Sequence, residues 1–334
     1  MYESKNPLRK KSLRSFPFGP MGTSPSNPEL GISTRYAQNV SLLEESNENH
    51  RFIDFTTEQY LHFEVQGRLG NQLFGLSDAY RLGRHFNRKV LLDIKSVTDE
   101  YGKPDWVKYA SQWEWAEVVD SVLVHLEEQG YKTVNIGVMD PLKQDPNSHF
   151  HGFTPSISSV DSAGLFTKGV FPFPSDEADL VNVNQLALCV RRGDYHQNPH
   201  LGILPPKYYK KALSMLLPSQ KIEKIVVFCD SREETISFLQ CNEISYNEIN
   251  QEENALEALR DLSMSSTIIA ANSTFSFWGS YFSNSVSYFP DPFYLSQPSW
   301  GKKLTDGFEV IKYMRVPRIH YFTQLLLRKL KSYL

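Results

Sequence analysis

The chain has 334 residues, 40% hydrophobic and 22% charged, with a formal net charge of −3 at neutral pH. That length is enough for two packed domains, and the slightly acidic balance argues against a nucleic-acid binder, which usually calls for a strongly basic face. No apolar run approaches the roughly 20 residues of a membrane-spanning helix, and the start lacks the basic-then-apolar pattern of a secretion signal. The three cysteines, Cys189, Cys229 and Cys241, have no metal spacing; they fit reduced thiols, and the expected location is the cytoplasm.

Residues 1–50 open on the cations Lys5, Arg9, Lys10, Lys11 and Arg14 and continue rich in Pro, Ser, Gly and Asn without a period. A disordered or loosely attached leader is expected there. Leu61–Val65 then alternates apolar and polar residues like a half-buried strand. Gly67-Arg68-Leu69-Gly70-Asn71-Gln72-Leu73-Phe74 follows as a glycine turn, and helical spacing takes over from Asn71 to Phe86. With Val90–Ile94 this makes a βαβ unit, hence a parallel sheet. Between Lys95 and Lys168 the pattern is weak; Trp106, Trp113 and Trp115 crowd one stretch and read as packing beneath a loop or as sugar-binding aromatics.

Pro172-Phe173-Pro174 reads as a linker, after which strand and helix alternate again. Strands are expected at Leu186–Val190, Ile225–Cys229, near Ile244–Ile249, at Thr267–Ala271 and at Val286–Phe289. Helices are expected at Pro206–Leu217, Glu233–Gln240 and Asn254–Met264, and through Phe277–Phe282. In such sheets ligands sit at the carboxyl ends of the strands.

Two of these strand ends carry chemistry. Leu186–Val190 breaks into Arg191-Arg192-Gly193-Asp194-Tyr195, two guanidinium forks suited to a diphosphate, or else a surface ion pair with Asp194. Thr267–Ala271 breaks into Asn272-Ser273-Thr274-Phe275-Ser276-Phe277-Trp278-Gly279, where hydroxyls and helix-start amides suit phosphate oxygens, or else simply cap the helix. The glycine turn lacks the G-K-[ST] ending of a P-loop, which argues against a kinase.

Together and in this order the segments resemble the α-1,2-fucosyltransferase family of glycosyltransferases. Gly67–Phe74 is similar to its G-G-L-G-N-Q-M-F signature, with Arg68 and Leu73 as the changes. Cys189–Tyr195 is similar to H-x-R-R-G-D-Y apart from the first residue, and Asn272–Gly279 matches N-S-T-F-S-x-W-G. A looser S-D-D block appears as Cys229, Asp230 and Ser231 after Ile225–Phe228. The resemblance spans roughly residues 60–295. It departs at Cys189, where the family has histidine, and at Ser231, where it has a second aspartate.

The resemblance implies an α/β chain of GT-B type, with two Rossmann-like domains facing across a cleft. Residues 51–180 would form the N-terminal acceptor-side domain, 181–315 the GDP-fucose-binding domain, and 316–334 a C-terminal amphipathic helix. The implied reaction is inverting transfer of L-fucose from GDP-fucose to the 2-hydroxyl of a terminal galactose, on a glycan that is free or lipid-linked. No cofactor is implied and no metal, since no D-x-D sequence occurs. Arg192 is expected to grip the β-phosphate, with Asn71 reaching from across the cleft as the second catalytic residue. Arg191, Asp194, Asp230, Asn272, Ser273, Thr274 and Gly70 are expected around the donor.

No general base is assigned among His196, His200 and Asp78. Alternatives are a fucosyltransferase of another linkage, such as to protein hydroxyls, and an inactive sugar-nucleotide binder, for which Cys189 and Ser231 speak. The last helix, from Pro317, has apolar residues at Phe322, Leu325, Leu326, Leu330 and Leu334 beside late cations. It is expected either to dock on its own protein or to lie on an anionic membrane.

Overall fold

The computed structural model describes residues 60–110, 112–120, 132–156, 160, 182–196, 202–250, 252–283, 285–293, 305 and 308–312. The expected leader, the Pro172-Phe173-Pro174 linker, His200 and the helix from Pro317 lie outside the described residues.

The first sheet takes β1 (Tyr60–Glu64), β2 (Lys89–Asp93), β3 (Ala116–Val119), β4 (Thr133–Asn135) and β5 (His149–His151) in the order β3-β2-β1-β5-β4. Every pairing is parallel. Leu61 and Phe63 of β1, Val90 and Leu92 of β2 and Phe150 of β5 share one face by register and are fully buried. Helix α1 (Leu69–Phe86) covers that face, with Leu73, Phe74, Leu76, Ala79 and Leu82 turned inward at helical spacing. It begins two residues before the expected Asn71 and stops at Asn87, whose left-handed backbone (φ 52°) closes the last turn.

Two short helices, α2 (Lys95–Tyr101) and α3 (Val107–Ala110), follow β2. Trp106, Trp113 and Trp115 stack in a row with centroids 5.6 and 5.4 Å apart. Trp106 is fully buried and donates Nε1–H to Gln72 Oε1 at 2.8 Å, so the row is packing rather than a sugar platform.

The second sheet holds β6 (Asn182–Val190), β7 (Lys224–Cys229), β8 (Glu248–Ile249), β9 (Ser265–Ile269), β10 (Val286–Asp291) and β11 (Glu309–Lys312), ordered β11-β10-β9-β6-β7-β8. It too is parallel throughout. Central β6 buries Leu186 through Val190 without a break, as a strand covered on both faces must. Its helices are α4 (Pro206–Leu216), α5 (Arg232–Cys241), α6 (Ala255–Ser263) and α7 (Thr274–Phe282). The expected strand at Ile244–Ile249 shortens to its last two residues, because Glu243 turns the chain at φ 54°. The chain is thus α/β with two Rossmann-like parallel sheets, the architecture implied by the motifs.

The sheets meet through α1 and α7. Phe74 of α1 packs on Phe277 and Trp278 of α7, with centroids 5.0 and 4.8 Å apart. Buried aromatic pairs of this kind add about 0.5–1.5 kcal/mol beyond their area.

Candidate active site at the strand ends

The four sequence blocks lie far apart in the chain and converge through hydrogen bonds. Between β1 and α1, Gly67 adopts φ +72°, a backbone open to glycine but strained for other residues. Its carbonyl accepts from Gln72 Nε2 at 2.7 Å, which pins the turn. Gly70 on α1 touches α7: a Cβ there would lie 2.5 Å from Thr274 Oγ1 and 2.7 Å from the Phe275 nitrogen. Trp278 Nε1 donates to the Gly70 carbonyl at 2.8 Å, and Thr274 Oγ1 donates to Asn71 Oδ1 at 2.9 Å.

The second link joins β6 to β9. Tyr195, in the turn after the arginines, donates its hydroxyl to the Asn272 carbonyl at 2.8 Å. Burial pushes that phenol well above its usual range. Asn272 is buried and donates Nδ2–H to the Gly202 carbonyl at 2.7 Å. Ser273 is the N-cap of α7, its Oγ accepting from the Ser276 nitrogen at 3.1 Å. The hydroxyls of Ser273 and Thr274 are therefore already engaged, one in capping and one in the tie to α1.

The third link joins β6 to β7. Asp230 Oδ1 accepts from the backbone nitrogen of Arg192 at 2.9 Å, while its other oxygen lies 3.1 Å from Arg191 Nε. Arg191 also donates Nη2–H to both oxygens of Asp194, at 2.9 and 3.0 Å, and lies over the Tyr195 ring at 5.1 Å. Gly193 leaves room for this packing, since a Cβ there would lie 2.8 Å from Asp230 Oδ2.

Arg192 behaves differently. Its guanidinium lies 4.1 Å over the Phe238 ring of α5 and donates one long bond, 3.4 Å, to the Leu204 carbonyl. Most of its donors are unused among the described residues. It borders an open cavity of about 540 Å³ lined also by His196, Glu233, Glu234 and Phe238. The structure thus separates the two arginines, with Arg191 locked between carboxylates and Arg192 available to an anion.

Cys189, in place of the family's histidine, is buried against Ser276 of α7, and burial pushes its thiol up to about 12. It is a core residue, inert as a nucleophile. Asp78 is buried in α1, where it accepts from Arg81 Nη2 at 2.9 Å and from the Thr154 nitrogen at 2.6 Å. His196 lies 3.4 Å from Glu234. Among the described residues no three His, Cys, Asp or Glu side chains come together at metal-ligand spacing, and no helix is long and apolar enough to cross a membrane.

No family model matches the chain. It is 34% identical over 128 residues to the O-antigen biosynthesis glycosyltransferase WbnK of Escherichia coli, an alignment covering 36% of this chain and 40% of that protein. The match thus spans well under half of this relative's length. Among solved structures, the E. coli heptosyltransferase WaaC with ADP is similar at a TM-score of 0.41 and 9% identity, over 80% of this chain and 99% of that one. The fucosyltransferase NodZ from Bradyrhizobium is similar at 0.38 and 12%, over 68% and 94%. Likenesses this loose are silent on chemistry.

Proposed function

We propose that the protein is a glycosyltransferase that moves L-fucose from GDP-fucose to the 2-hydroxyl of a galactose-terminated glycan, with inversion. The observation that carries this is the convergence of the blocks. Asn71 bonds Thr274, Asn272 bonds Tyr195, and Asp230 bonds Arg192, so residues from Gly67 to Gly279 form one constellation at the strand ends. The partial identity to WbnK, a glycosyltransferase by name, supports the same reading.

In this reading the C1–O bond of the donor breaks as charge collects on the β-phosphate. Arg192, with donors to spare beside the cavity, meets that charge, and preorganised donors aimed at developing charge are the strongest aid to such a step. Arg191, Asp194 and Asp230 hold the loop rigid beneath it. Asn71 presents its amide N–H from the other side. The carboxylates of Glu233 and Glu234, on the same cavity, suit the N–H edge of a guanine rather than its phosphates. Ser273 and Thr274 contribute by fixing α7 against α1. No metal or cofactor takes part.

The acceptor, free or lipid-linked, meets the first sheet, and in this reading the segment after Pro317, with its apolar residues and late cations, brings the enzyme to an anionic membrane from the cytoplasmic side. Release of GDP from GDP-fucose, measured with and without a β-galactoside, tests the reaction. Release stimulated by the galactoside supports it; tight binding without turnover would make the protein an inactive binder, and turnover only with a protein acceptor would change the linkage. Flotation with anionic liposomes, before and after truncation at Pro317, tests the membrane contact.

A further inference from the structure

The two faces of the first sheet differ in kind. One is apolar and lies under α1; on the other, register aligns His62 of β1 with His149 of β5, and Glu64 with Asp93 of β2 and His151 of β5. Aligned residues in a parallel sheet point the same way, so these groups share one surface. His62, Glu64, Asp93 and His149 are all buried there. His62 Nε2 lies 3.6 Å from Asp93 Oδ2, His149 Nε2 lies 3.6 Å from Glu64 Oε2, and the imidazoles are 4.6 Å apart. Ser96 of α2 donates its hydroxyl to Glu64 Oε1.

Buried polar groups that serve structure alone close their hydrogen bonds among themselves. Here neither nitrogen of His62, nor Nε2 of His149, has a hydrogen-bond partner among the described residues. The cluster also stands where chemistry is expected. Glu64 ends β1 at the carboxyl edge of the sheet, and the chain runs from it directly into Gly67–Asn71.

A proton acceptor is the part the reaction still lacks. Asp194 and Asp230 are engaged by Arg191 and the Arg192 backbone nitrogen, and the two oxygens of Asp78 by Arg81 and the Thr154 nitrogen, so their oxygens are already taken. Glu64 instead faces a hydroxyl and imidazoles, with no Lys or Arg on it among the described residues.

We propose that Glu64 takes the proton from the acceptor hydroxyl, with His149 as the positioning residue behind it. The proposal rests on the transfer reading above and supplies its missing group. The acceptor O–H bond breaks and its proton goes to a Glu64 oxygen, while the freed electron pair of the hydroxyl oxygen forms the bond to C1 of the sugar. The C1–O bond to the β-phosphate breaks, its electron pair leaving with the diphosphate. Glu64 returns its proton to solvent once the product leaves. Burial beside His62 holds the His149 imidazole down at about 4, so near neutrality it is uncharged and able to donate an N–H to the carboxylate. The titratable groups facing Glu64 are His62 on its own strand, Asp93 on β2, and His149 and His151 on β5.

The test uses the full chain, GDP as the binding probe, and GDP-fucose with a β-galactoside for turnover. Glu64→Gln is expected to lower kcat for transfer by about 10²- to 10⁴-fold while GDP affinity stays at the wild-type value. Glu64→Asp should recover part of the rate and keep the acidic limb of the kcat–pH profile. His149→Gln should shift that limb with GDP affinity unchanged; a merely structural role would lower the melting temperature and leave the limb in place. Wild-type turnover in folded Glu64→Gln overturns the proposal and leaves the transfer reading intact. Failure of both Glu64 variants to fold overturns it as well, by making the carboxylate a structural partner of Ser96 and His149. A wild-type protein that moves no fucose overturns the transfer reading, and this proposal with it.

Discussion

Thr274 donates its hydroxyl to the side-chain oxygen of Asn71 at 2.9 Å, tying the helix after β9 to the helix after β1. One turn along, Trp278 Nε1 bonds the Gly70 carbonyl at 2.8 Å, and Phe74 fills the space between. The two sheets are therefore joined by a packed helix pair at the point where the motifs meet. That junction depends on Gly70 having no side chain. Gly70→Ala puts a Cβ 2.5 Å from Thr274 Oγ1 and 2.7 Å from backbone, so the helices must part. Overpacking of this kind costs about 1–3 kcal/mol. We expect a loss in that range in denaturant melts, together with reduced transfer, because Asn71 moves with the helix. An unchanged midpoint would show that the junction yields freely.

The two arginines should fail in different ways. Arg192→Ala removes a guanidinium that borders the cavity and holds little of the protein together, so transfer should fall by about 10²- to 10³-fold with the melting temperature nearly unchanged. Arg192→Lys should stay poor, since a point charge lacks the planar fork. Arg191→Ala leaves Asp230, 5% exposed, without its cation. It should destabilise by about 1–3 kcal/mol, the penalty of an uncompensated buried charge being the larger part. Kinetics and melting curves of the three variants check this, and equal destabilisation by both alanine changes would refute the division of roles.

These features were legible in the sequence to different depths. Arg191, Arg192, Ser273 and Thr274 stand where a short apolar run breaks into polar residues, a local pattern that marks a strand's end without knowledge of the fold. That Ser273 and Thr274 are engaged with Ser276 and Asn71 is a tertiary fact, and the sequence is silent on it. The different orientations of the arginines are hidden for the same reason. The strands β3, β4 and β5 went unseen because each is only three or four residues long, too short to show alternation. His62 and Glu64 misled in an instructive way. Between Leu61, Phe63 and Val65 they look like the solvent side of a half-buried strand, yet β1 is central in its sheet and both its faces are covered. A polar residue on a central parallel strand is the signal that would have found the cluster.

Neutralisation by arginine and helix amides makes a prediction about metal. The transfer rate should survive exhaustive EDTA treatment and should not rise with Mn²⁺ or Mg²⁺. Loss on chelation, restored by either ion, would require a carboxylate site beyond Asp194 and Asp230, both of which lie against Arg191.

The buried imidazole of His149 sets the acid stability of the first sheet. Its folded value, about 4, lies below the ordinary value of 6.5, so the unfolded chain binds its proton first. Stability from this group is complete above pH 6.5 and falls as the pH drops towards 4, below which the group contributes no further slope. His62, Glu64 and Asp93 face the same space. His149→Gln should therefore flatten the stability–pH curve between about pH 4 and 6.5. Denaturant midpoints for wild type and variant, taken at intervals between pH 4 and 7, decide the point. Parallel curves across that range would show that His149 titrates as an exposed histidine does, and that the polar face of the sheet is open to water.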